Sequence, residues 1–221
     1  MKIIKILDAS HIDYVKNLIE DLEFHDGKKT ALGLAQKVKL NKQALVEGDK
    51  YQELVSYIND ILTKDLTLKK RYLPKAFSAP VINKYEVGEN YGRHFDTSHM
   101  NTGSGSIRND FSFTLMLSSK SDYEGGELKI ETGSFTHEVK LDFGDLVIYP
   151  CSYIHSVLNI TKGNRVAYVG WIASHIQDQS AFEIINAYED MRQALTKYNL
   201  SEEDELSLSF VQNKLQHLVS K

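Results

Sequence analysis

The central stretch of the sequence, residues 72–173, alternates short runs of β-forming residues with turns that contain glycine. Regularly spaced short strands of this kind are typical of a β-sandwich or a jelly roll. The run 111–117 alternates Phe and Leu with Ser, Thr and Met, which predicts a strand with one buried face. The predicted strands lie at 79–87, 111–117, 127–131, 146–149 and 165–172.

Helical patterns flank this stretch on both sides. A helix capped by Ser10 carries apolar residues at 3.6-residue spacing, and a second helical pattern runs from about residue 42 to residue 64. Asp178 is placed to cap a helix that runs to about residue 198, and Ser201 with Asp204 resembles a capping box before the last helix. The predicted fold is therefore α+β, a jelly-roll core with N-terminal supporting helices and a C-terminal helical tail.

Composition excludes several classes of protein. The 221 residues hold 26 Lys and Arg against 30 Asp and Glu, a formal charge of −4 that gives no basis for binding nucleic acid or a membrane surface. Cys151 is the single cysteine, which excludes an intramolecular disulfide and a cysteine-based zinc site. No segment approaches the roughly 20 apolar residues of a membrane-spanning helix, and the first residues lack a secretory pattern. We therefore expect a cytoplasmic protein.

Two histidines and one aspartate form the strongest chemical pattern. His94 and Asp96 project to the same face of a strand if both lie within it, although this pair alone equally fits a strand histidine with a hydrogen-bonded carboxylate. His155 follows the predicted strand 146–149 after a short turn. Two histidines and a carboxylate are the facial triad that suits non-haem Fe(II) and leaves coordination positions open. Arg165, at the start of the next strand, supplies a permanently charged fork for a carboxylate.

The segments around these residues resemble a known family. Residues 83–96, Asn-Lys-Tyr-Glu-Val-Gly-Glu-Asn-Tyr-Gly-Arg-His-Phe-Asp, look like the iron-binding strand of the 2-oxoglutarate-dependent prolyl-hydroxylase-like oxygenases. Residues 122–128, Asp-Tyr-Glu-Gly-Gly-Glu-Leu, and 144–150, Gly-Asp-Leu-Val-Ile-Tyr-Pro, are similar to the next core strands of that family. The length and the helical tail most resemble the bacterial PKHD-type hydroxylases. The resemblance is strongest over 82–171.

The resemblance implies roles for individual residues. His94, Asp96 and His155 would hold Fe(II) as the catalytic centre. Arg165 would bind the distal carboxylate of 2-oxoglutarate, and the hydroxyl of Tyr85 would donate a hydrogen bond to that co-substrate. The implied cofactors and co-substrates are Fe(II), 2-oxoglutarate and O2, with L-ascorbate as a reductant.

The same resemblance implies the domain organisation and the reaction. A double-stranded β-helix dioxygenase domain would cover 1–175, with helical support at 1–70 and the core at 72–173, and a C-terminal helical extension would cover 176–221. The implied reaction hydroxylates an unactivated C–H bond, of a prolyl or other residue in a peptide or protein, and releases succinate and CO2.

Two alternatives to a peptide hydroxylase stay open at this point. The same chemistry on a small molecule, such as a free amino acid or an iron-uptake metabolite, requires the same residues. A non-catalytic, cupin-like metal-binding module is the alternative from a different class, although a cupin would more naturally show His-x-His with a later glutamate. The amphipathic helices permit a homodimer, and the sequence does not identify the substrate.

Several residues near the triad are assigned no role in the chemistry. The stretch 97–110 reads as a loop that could act as a mobile lid, with His99 as a solvated histidine on it. Arg93 alternates with His94 and is predicted to face the opposite side of its strand. Trp171 is predicted to be a core residue, and Cys151 a buried bystander.

Overall fold

The computed structural model describes residues 2–31, 33–102 and 105–219. The helices in these ranges are α1 (Ile12–Glu20), α2 (Gly33–Lys37), α3 (Asp49–Lys64), α4 (Leu66–Tyr72), α5 (Gln179–Leu195) and α6 (Glu202–Val219). The strands are β1 (Lys2–Lys5), β2 (Phe24–Asp26), β3 (Lys39–Leu40), β4 (Lys42–Ala44), β5 (Pro74–Phe77), β6 (Val81–Tyr85), β7 (Asn90–His94), β8 (His99–Thr102), β9 (Gly105–Arg108), β10 (Phe111–Met116), β11 (Tyr123–Gly125), β12 (Leu128–Thr132), β13 (Phe135–Val139), β14 (Asp145–Pro150), β15 (Ile154–Val157), β16 (Ile160–Gly163) and β17 (Arg165–Ser174). The prediction of a strand-rich mixed fold is therefore confirmed.

The strands form two main antiparallel sheets and two short ribbons. The larger sheet has the order β1-β14-β10-β17-β6-β4-β2, with β5 also paired to β17. The smaller sheet has the order β13-β12-β15-β7-β3, and the ribbons are β11-β16 and β8-β9. Strands far apart in sequence lie side by side, so residues from the N-terminal segment, the centre and the end of the core can meet at one place.

The larger sheet is covered on both faces. Helices α1, α3 and α4 pack on one face together with Phe111, Phe113 and Leu115 of β10. The other face packs on the smaller sheet, where Met116 of β10 joins a second apolar cluster. All of β10 is consequently buried, which corrects the prediction of a strand with one solvated face. The alternation separates two buried faces, of which the one that carries Ser112 is the more polar.

The helix predicted over 42–64 is shorter than expected. Residues Lys42–Ala44 form β4, which pairs with β6 in the register Gln43 to Asn83. The helix α3 begins at Asp49, directly after Gly48 with a φ of 125°. The helical periodicity is therefore followed only from Asp49, because the side chain of Gln43 is buried and hydrogen-bonded to Asn83 in the sheet.

Helix capping is partly as predicted. Asp178 caps α5 through its contact with the backbone N–H of Ala181, and Ser201 with Asp204 closes the start of α6. Ser10 does not cap the first helix. Asp8 instead accepts the backbone N–H of Ser10 at 2.9 Å in a 3-10 turn that precedes α1.

The stretch 97–110 is not an irregular loop. β8 and β9 pair within it as an antiparallel ribbon, and residues 103–104 lie outside the described residues. Asn109 closes the base of the ribbon, since its backbone N–H donates to the carbonyl of Ser98 at 2.8 Å. The prediction of a loop is therefore wrong. Gly and Ser are typical of turns, and the pairing between β8 and β9 cannot be read from the local sequence.

Among the described helices, none has both the length and the apolar character that crossing a lipid bilayer requires.

Candidate active site

His94 and His155 are direct neighbours across two strands of the smaller sheet. β7 and β15 pair in the register His94 to His155, and the two ring centroids lie 4.2 Å apart. The Nδ1 atom of His94 lies 2.8 Å from the carbonyl oxygen of Gly92, and that of His155 lies 3.1 Å from the carbonyl of Tyr153. A carbonyl accepts only a protonated nitrogen, so Nε2 of each ring keeps its lone pair for a metal ion.

Asp96 completes a cluster with these two rings. Its Oδ1 lies 4.0 Å from Nε2 of His94 and its Oδ2 lies 3.8 Å from Nε2 of His155. One donor atom from each of the three residues lies within 4.8 Å of the others. Asp96 reaches this position from beyond the end of β7, which corrects the expectation that it shares a strand with His94.

The donor set fits Fe(II). Two imidazoles and one carboxylate form the facial arrangement that leaves other coordination positions open. Burial, followed by the nearby His155, lowers the pKa of His94 to about 4, so this imidazole is neutral at physiological pH. A metal ion requires that neutral form.

The carboxylate of Asp96 is held by two donors that the sequence interpretation did not identify. The Oγ of Ser112 and the indole Nε1 of Trp171 donate to its Oδ2 at 2.5 and 2.9 Å. Trp171 was predicted to be a core residue, and its ring nitrogen instead contacts the cluster. Strand alternation could have found it, because residues 165 and 171 of β17 are separated by an even number and share one face.

Arg165 lies at the start of β17 opposite Tyr85 of β6. It is only 1% exposed, its Nε lacks a hydrogen-bond partner, and no carboxylate of the described residues lies within 4.0 Å of its guanidinium. A buried cation without a counter-ion is costly, so this position fits the binding of an anion. The distal carboxylate of 2-oxoglutarate is an anion of that kind.

Gly126 allows the chain to pack against this arginine. Its φ is +65°, and a Cβ atom added there would lie 2.3 Å from Cδ1 of Ile160 and 3.0 Å from Cδ of Arg165. The second glycine of the Glu-Gly-Gly-Glu sequence is therefore required both by its backbone conformation and by the close approach.

Tyr85 lies beside Arg165, with the guanidinium carbon 5.2 Å from its ring centroid. Burial raises the pKa of Tyr85 to about 12, so its hydroxyl stays protonated and can donate a hydrogen bond. The positive charge of Arg165 partly offsets this rise in the pKa, whereas the negative charges of Glu89 and Asp96 add to it.

Residues expected to stay outside the cluster do so. Arg93 lies on the outer face of β7 in a bidentate pair with Glu131, at 2.7 Å for each contact. His99 is exposed on the ribbon. Cys151 donates its thiol to the carbonyl of Asn109, and burial raises its pKa to about 11, so it is not a nucleophile at neutral pH.

Comparison with known proteins places these features in one group. Residues 80–173 match the 2OG-Fe(II) oxygenase superfamily. A PKHD-type hydroxylase of Gloeothece citriformis is 38% identical over 190 residues, which cover 86% of this chain and 85% of that protein. A PKHD-type hydroxylase of Idiomarina loihiensis is 39% identical over 186 residues, covering 83% of each chain.

Solved structures share the fold at low sequence identity. A prolyl hydroxylase of Trichoplax adhaerens, in complex with a peptide fragment of the hypoxia inducible factor oxygen degradation domain, aligns with a TM-score of 0.56 and 18% identity, over 78% of this chain and 83% of that one. HygX of Streptomyces hygroscopicus, with nickel, 2-oxoglutarate and hygromycin B bound, aligns with a TM-score of 0.53 and 12% identity, over 78% and 82% of the two chains.

Proposed function

Because the chain belongs to the 2OG-Fe(II) oxygenase superfamily, among its PKHD-type hydroxylases, we propose that it hydroxylates an unactivated C–H bond of a prolyl residue and releases succinate and CO2. It is a dioxygenase that depends on 2-oxoglutarate and uses Fe(II) and O2. Proline in a peptide or protein is the first candidate substrate. The observation that carries the proposal is the cluster of His94, Asp96 and His155 together with a buried Arg165 that has no carboxylate counter-ion among the described residues.

The proposed metal ligands are Nε2 of His94, Nε2 of His155 and the carboxylate of Asp96. When bound, Fe(II) and 2-oxoglutarate would allow O2 to act as the oxidant, with one oxygen atom passing to succinate as 2-oxoglutarate loses CO2 and the other to the hydroxyl group of the product. The residues of the chain bind and orient these groups. The backbone carbonyls of Gly92 and Tyr153 fix the orientation of the two imidazole rings.

Arg165 is the proposed anchor of the distal carboxylate of 2-oxoglutarate. A guanidinium offers two parallel N–H donors to a carboxylate, and burial makes each contact stronger than it would be in water. Tyr85 is the proposed hydroxyl donor next to it. Both side chains are almost completely buried, so bulk water has little access to this position.

A small molecule is the second candidate substrate. This chain shares its fold with a protein that binds a peptide fragment and with a protein that binds hygromycin B, so the fold accommodates both classes of ligand. The ribbon β8-β9, next in sequence after Asp96, is the element we expect to differ between enzymes for the two classes.

We also propose the finer architecture. The two main sheets would form a double-stranded β-helix over residues 72–173, supported by 1–70, with 1–175 as the dioxygenase domain and 176–221 as a C-terminal extension. The antiparallel order of the sheets and the pairing of His94 with His155 on neighbouring strands of the smaller sheet support this organisation.

The test is an anaerobic titration of metal-free protein with Fe(II) and 2-oxoglutarate, followed by the visible metal-to-ligand charge-transfer band. We expect the band in the wild type, its loss in His155→Ala, and a much higher 2-oxoglutarate requirement in Arg165→Ala. Arg93→Ala, which removes an outward-facing arginine, should match the wild type. A wild-type protein that binds iron without giving the band would contradict the proposal.

A further inference from the structure

A buried lysine lies close to the proposed iron site and has no role in the reaction described above. Lys39 of β3 is 5% exposed, and β3 pairs with β7 in the register Lys39 to Tyr91. Its Nζ lies 5.3 Å from the ring centroid of Tyr91, and that ring stacks on His94 with the centroids 3.6 Å apart. Gly92 allows the close approach, because a Cβ atom there would lie 2.7 Å from Cβ of Val38.

Few contacts offset the free-energy cost of removing the ammonium group of Lys39 from water. Its hydrogen-bond partner is Oγ1 of Thr30 at 3.3 Å, and among the described residues no carboxylate lies within 4.0 Å of its Nζ. Thr30 in turn donates to the side chain of Gln43, so it is an acceptor toward the lysine. Burial lowers the pKa of Lys39 to about 8, which still leaves the group charged at neutral pH.

The neighbouring negative charges do not compensate the positive charge of Lys39. Among the charged residues, Asp96 acts most strongly on the pKa of Lys39, followed by Asp26. In the loaded enzyme Asp96 would be a metal ligand. Summed over the loaded site, the positive charges of Fe(II) and Arg165 would cancel the negative charges of 2-oxoglutarate and Asp96, while the two histidines are neutral. Lys39 would remain as one unmatched, buried positive charge beside the reaction centre.

We propose that Lys39 is a specificity-determining residue that binds a carboxylate of the substrate next to the C–H bond that is hydroxylated. A carboxylate carries the single negative charge that the unmatched ammonium requires, and a charged hydrogen bond in a buried site is stronger than a neutral one. The carboxylate belongs either to an acidic residue or terminus of a peptide or to a free amino acid. The role rests on the proposed function and narrows its substrate class.

The test measures binding rather than turnover. Protein loaded anaerobically with Fe(II) and 2-oxoglutarate is titrated calorimetrically with matched pairs of ligands. One arm uses N-acetylated, proline-centred tripeptide amides with Asp or Glu beside the proline, each against its Asn or Gln counterpart. The other arm uses each free amino acid against its amide. Wild type is compared with Lys39→Met, with Lys39→Arg, which keeps the charge, and with Lys37→Met, which removes an exposed lysine of α2.

We expect at least one carboxylate ligand to bind about tenfold or more tightly than its amide. This preference should be lost in Lys39→Met and kept in Lys39→Arg and Lys37→Met. A preference confined to the first arm assigns the carboxylate to a peptide, and one confined to the second assigns it to a free amino acid.

The role is overturned if the wild type gives the charge-transfer band but no carboxylate ligand binds better than its amide, or if Lys39→Met keeps the preference. A wild type without the band overturns the proposed function itself, and the two failures are thereby distinguished. If Lys39→Met does not fold, Lys39→Gln, which also removes the charge but keeps a polar side chain, takes its place, and the same loss of preference is expected.

Discussion

The indole Nε1 of Trp171 donates a hydrogen bond to Oδ2 of Asp96 at 2.9 Å, and the hydroxyl of Ser112 donates to the same oxygen at 2.5 Å. Both donors belong to the larger sheet, whereas the two histidines belong to the smaller sheet. The carboxylate is therefore held from one sheet while it faces metal ligands from the other. With Oδ2 engaged twice, Oδ1 is the oxygen left free for a metal ion.

Replacing Trp171 with Phe keeps an aromatic ring but removes the N–H donor. We expect Fe(II) affinity to fall about tenfold, because partners that orient a metal ligand commonly contribute that much. Competition with a colorimetric chelator under anaerobic conditions measures the change. Phe135→Leu, a change at an exposed aromatic residue of β13, should leave Fe(II) affinity unchanged.

Ser112→Ala removes the second donor with little change in volume. We expect a further loss of Fe(II) affinity in the double variant with Trp171→Phe, measured in the same competition assay, because Asp96 then has neither donor to hold its rotamer. Circular dichroism at equal temperature verifies that both variants are folded. Unchanged affinity in the double variant would show that the orientation of Asp96 does not depend on these contacts.

A substitution of Gly126 tests the contact of the 122–128 segment with Arg165. Gly126→Ala places a methyl group against Ile160 and Arg165 at a φ of +65°. We expect the free energy of unfolding to fall by about 1–3 kcal/mol more than the strained backbone alone would cause, because of the steric overlap. Gly133→Ala is the matched control, because Gly133 has a φ of +69° and open space around its Cα. Denaturant unfolding compares the two, and equal losses would contradict the packing argument.

The clustering of His94, Asp96 and His155 could be predicted from sequence because a resemblance to a family supplied the pairing of distant strands. Strand alternation alone explains the proximity of His94 and Asp96 incorrectly, because Asp96 lies beyond the end of β7. Their roles as metal ligands, and those of Arg165 and Tyr85, stay predictions that the titration above tests.

Long-range contacts account for most of what the sequence did not reveal. The segment that carries Lys39 and Gln43 is ordered by pairing with β7 and β6, in which the partner residues lie forty or more positions further along the chain, and the local pattern around it reads as helical. Trp171 looks like any core aromatic until the strand that carries Asp96 is placed opposite it. Dimer formation through α5 and α6 also stays a prediction.

The buried side-chain amide of Asn83 joins β6 to β4 and to the residue that precedes β4. Its Oδ1 accepts the side-chain N–H groups of Asn41 and Gln43, each at 3.0 Å. Asn83→Ala leaves two buried donors without a partner, so we expect a loss of about 2–4 kcal/mol in the free energy of unfolding. Denaturant unfolding measures it, with Asn199→Ala at an exposed position as the control. A loss equal to that of the control would show that water replaces the missing acceptor.

The charge of Lys39 makes stability depend on pH with a definite sign. Burial lowers its pKa from 10.5 to about 8, opposed by the charges of Asp96 and Asp26, and the ring of Tyr91 is the titratable group packed against it. The folded chain therefore binds fewer protons at this site than the unfolded chain between those pKa values, so its destabilising contribution shrinks as pH rises. Burial also raises the pKa of Tyr91, which keeps that hydroxyl neutral over this range.

Lys39→Met removes the titrating group and fills its space with an apolar side chain. We expect the metal-free variant to be more stable than the wild type at pH 7, and this advantage to shrink by about 2 kcal/mol by pH 10, where the wild-type lysine is neutral in the fold and partly neutral when unfolded. Urea unfolding at the two pH values measures the difference, and Lys37→Met corrects for the loss of a surface charge. An advantage that does not change with pH would mean that Lys39 keeps an ordinary pKa, and that its ammonium reaches water or a counter-ion by moving away from Tyr91.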